Sequence, residues 1–203
     1  MKITHESMLE LTKNMPMKLI SIEKKIHLNS EMASINGQQI VVSNYDAETI
    51  PYLERYYAGT LRDGADLWFH RFLTNDSERH LHSHPFNFRT IMLCGGYTEE
   101  FLTPAGEKDF RVTLPDMHPI NFNMLSYFSK NSIGKLSSEF VRGREIDVFD
   151  WHRIAVVEPD TWTMMIVQPE RLPAWFFKDD DGELKHMKSS PKEWWHDFSP
   201  RID

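Results

Sequence analysis

Between residues 64 and 170 the chain alternates short strand-forming runs with turn residues, and this rhythm limits the fold more than any other feature. The runs are Ala65–Thr74, Phe86–Cys94 leading into Gly95-Gly96, Tyr97–Thr103, Phe110–Leu114, Met124–Phe128, Glu145–Val157 and Thr161–Val167. Turns are expected at Pro104-Ala-Gly-Glu107 and at Pro159-Asp160. Many short strands with turns between them predict a β-sandwich or a small barrel.

The flanks read differently. Residues 1–63 are expected to form an N-terminal extension packed on the barrel. It would hold a short helix over Ser7–Lys13 stopped by Pro16, a strand over Gly37–Asn44 after the Asn36-Gly37 turn, and a helix over Asp46–Tyr57 with Pro51 in its first turn. Residues 171–203 are expected to add a hairpin around Asp181-Gly182 and a short aromatic helix over Pro191–Phe198. With 203 residues, 40% hydrophobic and 26% charged, the chain has enough apolar material for one structural domain.

Composition excludes several classes. Cys94 stands alone, so there is no disulfide framework and no Cys-rich zinc site. The net charge of −7 argues against nucleic acid as a partner. The first residues have no signal-type apolar run, and no stretch approaches the ~20 apolar residues a membrane span needs. The expected setting is the reducing cytoplasm, without membrane association. Nucleotide-binding glycine loops and a Gly-x-Ser-x-Gly elbow are absent, and Asp179–Gly182 lacks the later Glu of an EF-hand.

Ten histidines remain to be explained, and three crowd into His80-Leu-His82-Ser-His84-Pro. Alternate residues of a strand share a face, so His80, His82 and His84 lie together if the backbone is regular. Two imidazoles at this spacing can converge on one divalent metal, and a distant strand must supply a third ligand. His152, in the β-forming run after Asp147, is the best third ligand.

At these residues the chain resembles the cupins, over roughly residues 64–170. His82 and His84 match the cupin His-x-His pair, Gly96 the closing Gly and His152 the late His. His-x-His-Pro-aromatic followed by Gly95-Gly-Tyr-Thr-Glu99 is similar to a group of small single-domain cupins. The resemblance implies an all-β core folded as a double-stranded β-helix, a jelly-roll barrel, with short N- and C-terminal helices. It also implies a homodimer. Two positions depart from the pattern. Arg89 stands where the motif has its Glu, and the Pro-x-Gly turn before the late His is replaced by Val148-Phe-Asp150. The metal set implied is therefore His82, His84 and His152, as in the thiol dioxygenase branch, with Glu99 as a fourth ligand or a neighbour of one. His80 is a spare. Cys94 is not where that branch places its cross-linked Cys, and reads as a core thiol.

Three neutral imidazoles leave a divalent charge uncompensated and coordination positions open, which favours a small anionic substrate. Fe(II) is the favoured metal, with Zn, Ni or Mn as alternatives. Tyr97 is expected to donate a proton or simply to pack. Arg89 is expected to hold a substrate carboxylate or phosphate, although strand parity puts it opposite 82, 84, 86 and 88 unless Pro85 inserts a bulge. Arg71 and Arg153 are lower-ranked candidates for holding an anion, and Asp150 is expected either to orient His152 or another ligand as a hydrogen-bond acceptor or to be a strand-end surface group. Phe69, Phe86, Phe88, Trp151 and Trp162 are expected in the core. The function expected is an Fe(II)-dependent oxygenase, a cupin-type dioxygenase and so an oxidoreductase. The alternatives are a small-molecule-binding cupin without catalysis and a sugar or nucleotide-sugar isomerase or epimerase using His and Tyr.

Overall fold

The computed structural model describes residues 3–35, 38–75, 81–115, 133–140, 143–170, 172, 175–178 and 184–187. Its one α-helix among these residues, α1 (His5–Thr12), begins at a reciprocal cap. Thr4 Oγ1 accepts the Ser7 amide at 3.3 Å, and Ser7 Oγ accepts the Thr4 amide at 3.0 Å. That box starts the helix ahead of the Ser7–Lys13 span expected.

Among the described residues twelve strands follow: β1 (Met17–Ile35), β2 (Gln38–Thr60), β3 (Asp66–Phe72), β4 (Leu81–Ser83), β5 (Phe88–Cys94), β6 (Tyr97–Leu102), β7 (Lys108–Thr113), β8 (Arg144–Ile146), β9 (His152–Val157), β10 (Thr161–Val167), β11 (Trp175–Lys178) and β12 (Leu184–Met187). They form two antiparallel sheets of six strands. The first runs β1-β2-β3-β10-β5-β8 and the second β12-β11-β4-β9-β6-β7. Among the described residues the fold is therefore all-β with one short α-helix, as the alternating runs imply. Met124–Phe128, the Asp181-Gly182 turn and the Pro191–Phe198 segment lie outside the described residues.

Side-chain parity sorts the core into layers. Leu67 and Phe69 of β3 join Met8, Ile91, Leu93, Trp162, Met164 and Ile166 on one face of the first sheet, beneath α1. The opposite face of β3 carries Trp68, His70 and Phe72. Phe72 packs with Tyr52, Leu53 and Met92 of the first sheet and with Tyr97 and Ile154 of the second. Trp68 packs with Phe86, Phe88, Ile146, Met165 and Val167. This second face therefore looks toward the other sheet. Each large side chain buried this fully contributes on the order of 2 kcal/mol.

Two expectations for the backbone change. Asp46–Tyr57 is not a helix but part of β2, which pairs with β1 on one side and, from Leu53 to Thr60, with β3 on the other. Tyr52, Tyr56 and Tyr57 are strand-formers, and pairing on both sides outweighs the helix-type capping signals. The register against β1 jumps from Leu53 to Pro51. Pro51 thus sits at an irregularity, where a missing amide donor costs least.

The second change is that Glu145–Val157 is not one strand. Asp147 and Asp150 bend it: the Asp150 amide donates to Asp147 O at 3.0 Å, and Asp150 Oδ2 accepts the Asp147 amide at 3.0 Å. This turn carries the chain from β8 in the first sheet to β9 in the second. Gly95 makes the corresponding crossing between β5 and β6, with φ +72°.

Candidate metal centre

His82 is the central residue of β4, and its register partner across the ladder is His152 at the start of β9. Opposed residues share a face, so the pairing alone brings these two imidazoles together. His84 follows two residues on. The three rings form a nearly equilateral triangle, with centroids 5.1 Å apart for His82–His84 and 5.0 Å for each of the other pairs. Nε2 of His84 and Nε2 of His152 are 2.9 Å apart. One ligand nitrogen from each histidine lies within 4.8 Å of the others. His82 and His152 are buried and His84 is half-buried, against the rings of Phe86 and Phe88. Three converging imidazole nitrogens in a buried setting can hold a divalent metal ion.

Electrostatics suit that use. Burial, helped by the charges of His152, His82, Arg55 and His70, holds His84 well below its ordinary value. It is therefore neutral, as ligation requires.

Glu99 of β6 is only 1% exposed and bonds His152 Nδ1 through Oε1. That fixes the His152 tautomer and leaves Nε2 directed at the other two rings. Oε2 of Glu99 pairs with Arg144, and Arg111 Nε lies 3.3 Å from it. Burial pushes the Glu99 carboxyl up, but the bond and charge of His152 and the Arg144 guanidinium outweigh it and hold Glu99 at about 2.

The remaining sequence expectations fall elsewhere. Arg89 donates to Ser138 O at 2.8 Å and pairs with Glu145 at 2.6 Å, on the face that parity gave it. Tyr97 packs in the apolar cluster beside Phe72, and burial with the nearby Glu99 charge pushes its hydroxyl up to about 12. Asp150 serves its own turn, and Glu99 is the acid that meets His152. Arg71 pairs with Glu54 and Asp160, and Arg153 with Glu100. Cys94 is buried with Sγ 3.5 Å from Asp160 O. Phe69, Phe86, Phe88 and Trp162 are buried as expected, while Trp151 is half-buried. His80 lies outside the described residues.

Sequence reading missed Arg144, Arg111, Arg55 and His70. A signal existed for His70, a polar residue at the inward parity between Trp68 and Phe72. None existed for Arg55, whose segment looked helical.

Fold and site together define an all-β protein in which paired strands of one sheet bring together three histidines able to hold a metal ion. No protein-family model and no curated protein matches this chain. Among the described residues no helix is long and apolar enough to cross a membrane.

Proposed function

We propose that the protein is a cupin-type metal enzyme, an Fe(II)-dependent oxygenase acting on a small anionic substrate. The observation that carries this reading is the buried His82–His84–His152 triangle. The chain also alternates between its two sheets through β3, β4, β5 and β6, the path a double-stranded β-helix takes. Fe(II) held by the three imidazoles would supply Lewis acidity and one-electron chemistry toward dioxygen.

The chain's own residues do the rest. His82, His84 and His152 offer neutral donors and no anionic one, so a divalent ion would keep its charge for an anionic substrate. Glu99 acts through His152 as a positioning residue, held in place by Arg144 and Arg111. Phe86 and Phe88 pack against His84 and keep water from that side. The isomerase alternative needs Tyr97 as an acid or base, and its burial and high pKa weigh against that role.

Oxygen uptake by protein loaded anaerobically with Fe(II) tests this reading, using a panel of small carboxylates. Uptake should depend on one of them, stop with Zn(II) in place of Fe(II), and be lost in His152→Ala. Equal uptake by His152→Ala contradicts the reading.

A further inference from the structure

We propose that β7 is an interaction edge for a second copy of this chain. It pairs antiparallel with the same strand of the partner about a two-fold axis at Phe110, and the partner's Asp109 meets Arg111 beside Glu99.

The backbone makes the edge. β7 ends the second sheet and, among the described residues, pairs with β6 alone. Its register against β6 runs from Lys108 to Thr113 without a shift. Neither a proline nor a bulge blunts it, the usual protection of an exposed edge. The Thr103 amide donates to Glu107 O at 2.8 Å, so these two form a hydrogen-bonded pair of the hairpin. Such pairs alternate along the ladder, so Asp109, Arg111 and Thr113 turn their backbone groups to β6. Lys108, Phe110 and Val112 turn theirs outward. The Phe110 amide accordingly donates to the carboxylate of Asp109, at 2.8 Å, and not to β6.

The side chains along this edge are apolar and open. Phe110, Val112 and Leu114 alternate on the face opposite Arg111 and are 62%, 58% and 44% exposed. Val156 of β9 extends the row, because Thr98 is the register partner of both Val112 and Val156, and it is exposed too. A flat edge with an exposed apolar row is a template for another strand.

Charge selects a second copy as the occupant and fixes the register. Outward-turned residues must oppose outward-turned residues, so the two-fold falls on a residue of β7 and not between two. Centred on Asp109 or on Arg111, it would set that charge against its own copy, which is unfavourable. Centred on Phe110, it sets each Asp109 against the partner's Arg111. Asp109 opposes Arg111 in that register alone. Phe110 then lies beside the partner's Phe110, and the stem of Lys108 beside the partner's Val112. The Phe110 amide takes the carbonyl of the partner's Phe110, which releases Asp109 to the arginine across the axis.

Arg111 is placed to receive it. Its Nε lies 3.3 Å from Glu99 Oε2, and its Cζ lies 4.2 Å over the Phe101 ring. A guanidinium has five N–H donors, enough for Glu99 and for a second carboxylate. The interface therefore reaches the carboxylate that bonds His152.

Sedimentation equilibrium of the untagged full chain at micromolar concentration tests this. It needs no metal, so its outcome is separate from the metal reading. Wild type should have twice the mass of one chain. Phe110→Pro removes an amide that β6 does not use and should be monomeric. Asp109→Arg sets like charges across both pairs and should be monomeric as well. Glu107→Arg makes the same charge change opposite the partner's Thr113 and should stay dimeric. Far-ultraviolet circular dichroism should match wild type in all three. A monomeric wild type, a wild type larger than a dimer, a dimeric Phe110→Pro, a dimeric Asp109→Arg or a monomeric Glu107→Arg overturns the proposal. Should Phe110→Pro or Asp109→Arg lose its circular dichroism, Phe110→Lys decides, because it sets two like charges face to face without touching the backbone. A monomer there sustains the proposal and a dimer overturns it.

Discussion

Glu99 shows how much of the site rests on one side chain. It is buried, bonds His152 Nδ1 and is held by two arginines. Glu99→Gln keeps the shape but removes the charge that orients His152. Metal affinity should drop by roughly 10- to 100-fold, read by competition with a chelating dye. His70 carries a different prediction. Its folded pKa is depressed from 6.5 by burial and by Arg55, so below pH 6.5 the unfolded chain binds the proton first. The stability owed to neutral His70 is complete above that pH and is lost as pH falls toward the folded pKa. Denaturant unfolding of His70→Gln, whose amide oxygen can still accept from Arg55, should show a shallower acid loss than wild type. Of these residues the sequence made His82 and His84 legible through strand parity, and His152 through its β-forming run and the cupin resemblance. Glu99 was legible as a neighbour of the site but not as the partner of His152, since that pairing depends on the register between β6 and β9.

At the scale of elements, the strands that carry their own pattern were legible. Thr161–Val167 is β10 to the residue. Elements whose state depends on a distant partner were not. β2 is a strand because β1 and β3 pair with it, and the local sequence around Asp46 and Pro51 does not reveal those partners. The run from Glu145 breaks because Asp147 and Asp150 bond each other's backbone, a turn that propensity alone does not outline. Gly95 was read only as part of a motif, and the structure gives its physical reason. A Cβ there would meet Thr161 Oγ1 at 2.3 Å and Thr161 Cα at 2.6 Å, at a backbone φ of +72°. Backbone cannot yield as a side-chain tip can. Gly95→Ala should therefore destabilise the protein by about 2 kcal/mol or more, measured by denaturant unfolding. Gly106→Ala is the internal control, because its Cβ meets nothing within 4 Å although φ is +82°. It should cost less than Gly95→Ala.

Across the whole molecule, the candidate metal centre is built on the second sheet, from His82 of β4, His84 just after it, His152 of β9 and Glu99 of β6, while the first sheet packs Trp68, Phe72 and Phe88 between the sheets. A metal held by these residues in the folded chain alone would stabilise it by mass action. The measurement that bears most directly on this arrangement is the metal content of untagged protein purified anaerobically, wild type beside the His82→Ala/His84→Ala double variant. One divalent metal ion per wild-type chain, lost in the double variant, is the predicted result. A wild type without metal that takes up added metal no better than the double variant would contradict it.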